Sequence, residues 1–200
     1  GIMELELEDF YKRGIWVTKR TGEFGAKKKY ALIDEKGKIK IRGFETVRRD
    51  WCKLARNMQN KVIEMILNDG NHIKALDYFR EIVEKLKKRE VMRNDLIIKT
   101  QLKKPISEYK SISPHVIIAK KMHDKGIAVK PGALIEFYIA SVPGKLVRDK
   151  AKMPDEKGDY DIDYYLYNQL IPSVENIFNI FGIELVEFSK GRVQKKLGDF

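Results

Sequence analysis

The spacing of apolar residues changes near residue 45, and that change divides the chain. Before it, Met3, Leu5 and Leu7 alternate with Glu4, Glu6 and Glu8, and Phe10-Tyr11 and Ile15-Trp16-Val17-Thr18 follow. Period-two alternation rich in aromatic and β-branched residues predicts strands over 2–20, with Gly14 at a turn between them. The opening strand has no evident hairpin mate, so it is expected to belong to a sheet completed elsewhere. Residues 21–26 form a glycine-containing loop. Residues 30–33 and 38–41 read as two strands of a hairpin, joined by Asp34-Glu35-Lys36-Gly37.

From Glu45 onward the period lengthens. Val47, Trp51, Leu54, Met58, Val62, Met65 and Ile66 recur at steps of three and four, which predicts one face of an amphipathic helix ending at Asn68-Asp69-Gly70. Ile73, Leu76, Phe79, Ile82, Val83 and Leu86 predict a second helix, and the short joint predicts an antiparallel helical hairpin. Residues 96–102 read as a short strand. Ser113-Pro114 predicts a capped helix start, with Val116, Ile117, Ala119, Lys120 and Met122 on that helix and Gly126 at its end. Residues 133–140 predict a strand, 141–160 a loop. Asp163 opens an aromatic-rich helix that Pro172 breaks or kinks before it continues to Gly182. The fold class expected is α+β, with early strands and a mainly helical remainder.

Charge sharpens this picture. Among 200 residues, 40 are Lys or Arg and 29 are Asp or Glu, a formal net charge of +11 spread along the chain. A folded domain with a basic face suits a polyanionic partner. The alternative is an ordinary basic soluble protein. A single cysteine, Cys52, excludes an internal disulfide, and its apolar helical setting predicts a buried, inert thiol. The three histidines lack the spacing of a metal site. No apolar run reaches the ~18 residues of a membrane span, so a soluble, cytoplasmic protein is expected.

Three basic constellations stand out. Lys27, Lys28 and Lys29 with Tyr30 combine ammonium groups with a phenol; lysines neutralise phosphates, and they also guard exposed hairpin edges. Strand alternation puts Lys28 and Tyr30 on one face, Lys27 and Lys29 on the other. Arg42 and Arg48-Arg49-Asp50 lie at the passage from strand to helix, where Asp50 can orient one arginine while the other meets a phosphate. Lys99, Gln101, Lys103 and Lys104, followed by Tyr109, Lys110, Ser111, Ser113 and His115, with Lys120 further on, place lysines and hydroxyls around a helix N-terminus. Asp159, Asp161 and Asp163 alternate, but they fit a helix start better than a cation loop. Near the end, Gln194, Leu197 and Phe200 are spaced as one helical turn, a short docking pattern. No complete catalytic constellation is found.

Taken in order, these segments resemble archaeal-type family B DNA polymerases over nearly the whole chain. The residues that carry the resemblance are Phe10-Tyr11-Lys12-Arg13-Gly14, Lys27–Asp34, Arg42-Gly43-Phe44-Glu45 with Val47–Trp51, Tyr109-Lys110, Pro114-His115-Val116, Ala119-Lys120, Lys130-Pro131-Gly132 and Asp163-Tyr164-Tyr165 with Asn168-Gln169 and Pro172. Residues 21–26 look like an insertion relative to that family. The resemblance implies a palm end at 1–41 with a lysine-tyrosine motif, a thumb at 42–188, and a basic tail at 189–200 with a sliding-clamp docking motif at Gln194, Leu197 and Phe200. It further implies a noncatalytic small polypeptide of a split, two-chain polymerase that grips primer–template DNA, with a cloned fragment or a piece left by an intein boundary as the alternative. The implied partners are the larger polymerase chain, DNA and the clamp. No cofactor is expected on this chain, and Mg2+ is expected in the partner palm. A freestanding DNA-binding adapter that recruits the clamp is the alternative.

Overall fold

A computed structural model describes residues 10–17, 29–44, 50–144 and 146–185. The fold is α+β. A first sheet has strand order β1-β2-β3, made of Tyr11–Trp16, Tyr30–Asp34 and Ile39–Arg42, all antiparallel. A second has order β4-β5-β6, made of Ile98–Gln101, Leu134–Ile139 and Ala151–Lys152, also antiparallel. α1 (Lys53–Asp69) and α2 (Ile73–Lys87) connect the two sheets, α3 (Pro114–Asp124) lies between β4 and β5, and α4 (Ile162–Tyr165) and α5 (Ile171–Asn179) follow β6.

The 30–41 hairpin forms as expected, its turn tied by the Lys38 N–H donating to Asp34 Oδ1 at 2.8 Å. Other early expectations change. Gly14 sits inside β1, opposite Leu32, and not at a turn. The glycine is needed for space: a Cβ there would lie 2.4 Å from the Trp16 ring and 2.6 Å from Leu32. Trp16 thus folds back over its own strand. β1 has its mate within this chain, since it pairs with β2 from Tyr11 to Trp16, with an irregularity between Tyr11 and Arg13. The proposed strand over Met3–Leu7 lies outside the described residues.

Ile15, Ala31 and Ile33 are buried on the sheet face that meets α1. Arg13 adds a polar clasp. Its guanidinium donates to the carbonyls of Leu67, at 3.0 Å, and Asn68, at the C-terminal end of α1. That end carries the negative pole of the helix dipole and carbonyls without helical partners. Gly70, with φ of 72°, turns the chain there, and a Cβ on it would approach Arg13 Cζ to 3.0 Å.

Helix α1 starts at Lys53, later than the apolar spacing predicts. Trp51 and Cys52 are buried, but Cys52 is extended, so their burial does not come from helical periodicity. Instead, the Cys52 N–H donates to Gln169 Oε1 at 2.9 Å. Burial of the thiol pushes its pKa up to about 11, as expected of an inert cysteine. Helix α2 matches its pattern and ends in a reciprocal turn: Arg89 N–H donates to Leu86 O and Glu90 N–H to Lys85 O. Arg89 takes φ of 59°, a position where glycine is usual.

In α3, Val116, Ile118 and Ala119 are buried, whereas Ile117 is only half-buried. Ser113 holds the N-cap position without capping; its Oγ lies 2.8 Å from His115 Nδ1. Residues 141–160 are more ordered than a loop. They contain β6 and a bridge from Ala140 to Tyr160.

The aromatic segment begins one residue earlier than predicted, at Ile162. Asp161 caps α4, its Oδ1 accepting from the Tyr164 N–H at 2.9 Å. A π-helical turn, Leu166–Leu170, then leads into α5, whose first turn holds Pro172. Proline has no N–H to give, and the widened turn ahead of it accommodates that loss without breaking the rod. This segment ties the fold together. The Tyr165 hydroxyl donates to Leu96 O at 2.7 Å and accepts from the Ile139 N–H at 3.0 Å. Gln59 Nε2 donates to Ser173 O at 2.6 Å. One continuous core of buried residues runs from Ile15 to Leu185.

Two predictions follow from these contacts. Tyr165→Phe strands a buried N–H and a buried carbonyl, so it should cost about 1–3 kcal/mol, read as a lower urea midpoint at unchanged slope. For Asp161, burial raises the carboxyl pKa, but the Tyr164 N–H and Lys150, 2.9 Å away, outweigh it and hold the group below its usual value. A depressed folded pKa gives stability that is present above the unfolded carboxylate pKa and lost as pH falls through the folded one. Asp161→Asn should therefore flatten the acid side of the stability–pH curve while leaving its alkaline side parallel to wild type.

Candidate nucleic-acid interface

The described basic residues singled out in the sequence fall on two surfaces. The first is the outward face of the first sheet. Alternation commits Ile15, Ala31 and Ile41 to one side of the sheet and leaves Trp16, Tyr30 and Arg42, which pair across the three strands, on the other. Trp16 is 63% exposed, Arg42 is exposed and Tyr30 is half-buried. The next row holds Gly14, Leu32 and Lys40, and Lys40 Nζ lies 5.9 Å from the centroid of the Tyr11 ring. Beside it opens a cleft of about 490 Å³ lined by Tyr11, Asp34 and Lys38–Arg42. Lys29, half-buried, precedes β2, and its carbonyl accepts from the Val17 N–H at 3.1 Å. Lys27, Lys28, Arg48 and Arg49 lie outside the described residues. Asp50 is exposed and its carbonyl meets Gln169 Nε2 at 3.5 Å.

The second surface surrounds the N-terminus of α3. Tyr109 organises it. Its hydroxyl accepts from the Lys103 N–H at 2.9 Å, Lys104 Nζ sits 4.9 Å from its ring centroid, and its edge meets the His115 ring at 5.7 Å. Lys110 and Ser111 lie on the loop between Tyr109 and Ser113. Burial, helped by the charge of Lys103, pushes the His115 pKa down, so the ring is neutral at pH 7 with Nδ1 facing Ser113 Oγ. Gln101 is turned to the opposite strand, donating to Gly132 O at 3.3 Å. Lys120 is exposed one turn further along α3, beside a cleft of about 500 Å³ with Ile106 and Val129 in its wall. Pro114 has no N–H and the Val116 and Ile117 N–H groups donate to Ser113 O, so it is the lysines and hydroxyls at this helix start that can hold phosphate oxygens.

The alternating aspartates do not fit a cation. Asp161 gives one oxygen to the α4 cap and the other to Lys150. Sequence reasoning also passed over Trp16 and a group of arginine–tyrosine contacts. The signal for Trp16 was available: a tryptophan two residues after a glycine, in phase with Tyr30 and Arg42 once the strands pair. Gln194, Leu197 and Phe200 lie outside the described residues.

Comparison with known proteins supplies the family. The model for DNA polymerase family B matches residues 2–181. The chain is 43% identical over 185 residues to a DNA polymerase of Pyrococcus horikoshii, covering 91% of this chain and 14% of that protein. It is 40% identical over 202 residues to the DNA polymerase of Methanocaldococcus jannaschii, covering 100% of this chain and 12% of that protein. The solved family B DNA polymerase of Pyrobaculum calidifontis superposes with a TM-score of 0.73 at 34% identity, over 90% of this chain and 23% of that one. The chain thus spans a small part of the length of the relatives it matches. With the family model running through both sheets and the helices between them, the chain belongs to DNA polymerase family B.

Proposed function

We propose that this chain is the noncatalytic, duplex-gripping part of a family B DNA polymerase. In this reading residues 1–41 complete the palm of a larger polymerase chain, residues 42–188 act as the thumb, and the tail at 189–200 docks on the sliding clamp. Two-metal transfer of a nucleotidyl group to the primer end, with Mg2+, belongs to the larger chain. The observation that carries the reading is the row Trp16–Tyr30–Arg42 on the outward face of the first sheet. Its opposite face is used up in packing on α1, so this row is available to a partner. Lysines and arginines there and at the α3 N-terminus suit the phosphate backbone, which fixes position without reading sequence. Tyr30 can rest against a sugar while Arg42 meets a phosphate.

The test is primer extension by the purified chain together with the larger polymerase chain. Lys28→Ala with Tyr30→Ala should weaken extension by about tenfold at low salt, with the deficit narrowing as salt rises, because lost phosphate contacts make the salt dependence shallower. Extension unchanged over a salt titration would remove the gripping role. His115 offers a second readout. A phosphate bound at the α3 N-terminus favours the protonated ring, so the NMR titration of His115 should move upward when duplex is added. A freestanding adapter would instead bind duplex tightly as a lone monomer and leave extension indifferent to its presence.

A further inference from the structure

At the other end of the second sheet, two arginines are held against tyrosines in a recess of about 500 Å³. Arg93 stacks on Tyr138, 5.0 Å from its centroid, and donates to the Tyr138 hydroxyl at 3.2 Å and to Glu156 O at 2.7 Å. Arg89 stacks on Tyr160 at 5.2 Å and donates to Tyr160 O at 2.7 Å. Both rings are buried and anchored in turn: Tyr138 donates to Glu156 O and Tyr160 to Leu86 O. The guanidinium groups are therefore fixed before any ligand arrives.

Each guanidinium has five N–H donors, and these bonds use only one nitrogen of each. Neither arginine pairs with a carboxylate among the described residues. By contrast, Lys53, Lys61, Lys85, Lys99 and Lys150 each lie within 4 Å of one. Exposed Lys157 adds a third cation to the rim, against one acid, Asp159. Gly158 keeps the wall low: a Cβ would come within 3.0 Å of Lys152 Nζ and 3.1 Å of the Tyr138 hydroxyl. Arg89 itself stands where a glycine would be easier for the backbone, so its side chain is what the position retains.

We infer that Arg89, Arg93 and Lys157 form a second phosphate-binding recess. Preset, unpaired guanidinium forks match the paired oxygens of a phosphate, and both a nucleic-acid strand and a free polyphosphate carry them. The site is separate from the surface at α3. Lys103 lies beyond the Gln101 end of β4, and Tyr138 lies beyond its Ile98 end. Six residue steps at about 3.3 Å put them roughly 20 Å apart.

The test uses the full chain and a labelled single-stranded oligonucleotide, followed by anisotropy across a salt series, with pyrophosphate as competitor. Arg89→Gly with Arg93→Gln should weaken strand binding by about tenfold and flatten the salt dependence by about 1.4 in log–log slope. Arg89→Gly preserves the turn after α2, and a thermal melt reports whether the double variant is folded. Lys157→Ala, whose side chain supports no other described residue, should act in the same direction with a slope change of about 0.7. Loss of pyrophosphate binding with strand binding intact would assign the recess to free polyphosphate. Equal binding of both ligands by wild type and variants overturns the inference. So does a loss no larger than that of a charge-matched control, Lys74→Gln with Lys85→Gln, or a loss seen for polyglutamate but not for pyrophosphate.

Discussion

Buried hydrogen bonds from the segment around the π-helical turn hold this fold in register. Tyr165 and Gln169 stand four residues apart, and their side chains serve backbone groups of Leu96, Ile139 and Cys52. Those groups belong to the approach to β4, the end of β5 and the start of α1. Each is shielded from water, so each would cost about 1–3 kcal/mol if left without a partner. Apolar packing alone would tolerate sliding of α1 against α5 and the π-helical turn. Directional bonds at fixed distances do not, and they set where both basic surfaces stand relative to the core.

Much of this was legible from the order of residues. Helix α2 and the 30–41 hairpin follow from periodicity and turn chemistry, because their burial is decided locally. The α1 start was misread because Trp51 and Cys52 are apolar at helical spacing, while the peptide at Cys52 is held extended by Gln169, a residue 117 positions away. Gly14 was misread for a similar reason. A glycine between apolar stretches signals a turn, but here it makes room for the ring of Trp16. Residues 141–160 carry Pro and Gly in loop proportions, yet the pairing of Ala151 with Ile139 gives them a strand. The pattern is consistent: what a residue does with neighbours in sequence was readable, and what it does for a distant backbone group was not.

The basic surfaces show the same division. Lysine and arginine runs were visible at once, but charge by itself does not separate a solvated edge from a ligand surface. The structure adds which cations are already neutralised. Lys99 is paired with Glu136 across β4 and β5 at 2.6 Å, and Lys150 with Asp161. Lys104 lies over Tyr109 and Arg93 over Tyr138, contacts that place a cation without cancelling its charge. Aromatic support of this kind fixes a cation's position and leaves its field intact.

The clasp of Arg13 on the C-terminal carbonyls of α1 has a mechanical side. Helix α1 has 17 residues and so is about 25 Å long. Arg13 grips one end and Gln169 anchors the peptide that enters the other. A rod pinned at both tips transmits torque. A tilt of the first sheet by about 5° becomes a shift of about 2 Å over that length, with no bend in the helix. Force applied where β1 meets the helix therefore reaches the second sheet as motion of a rigid strut, not as loosened packing along the way.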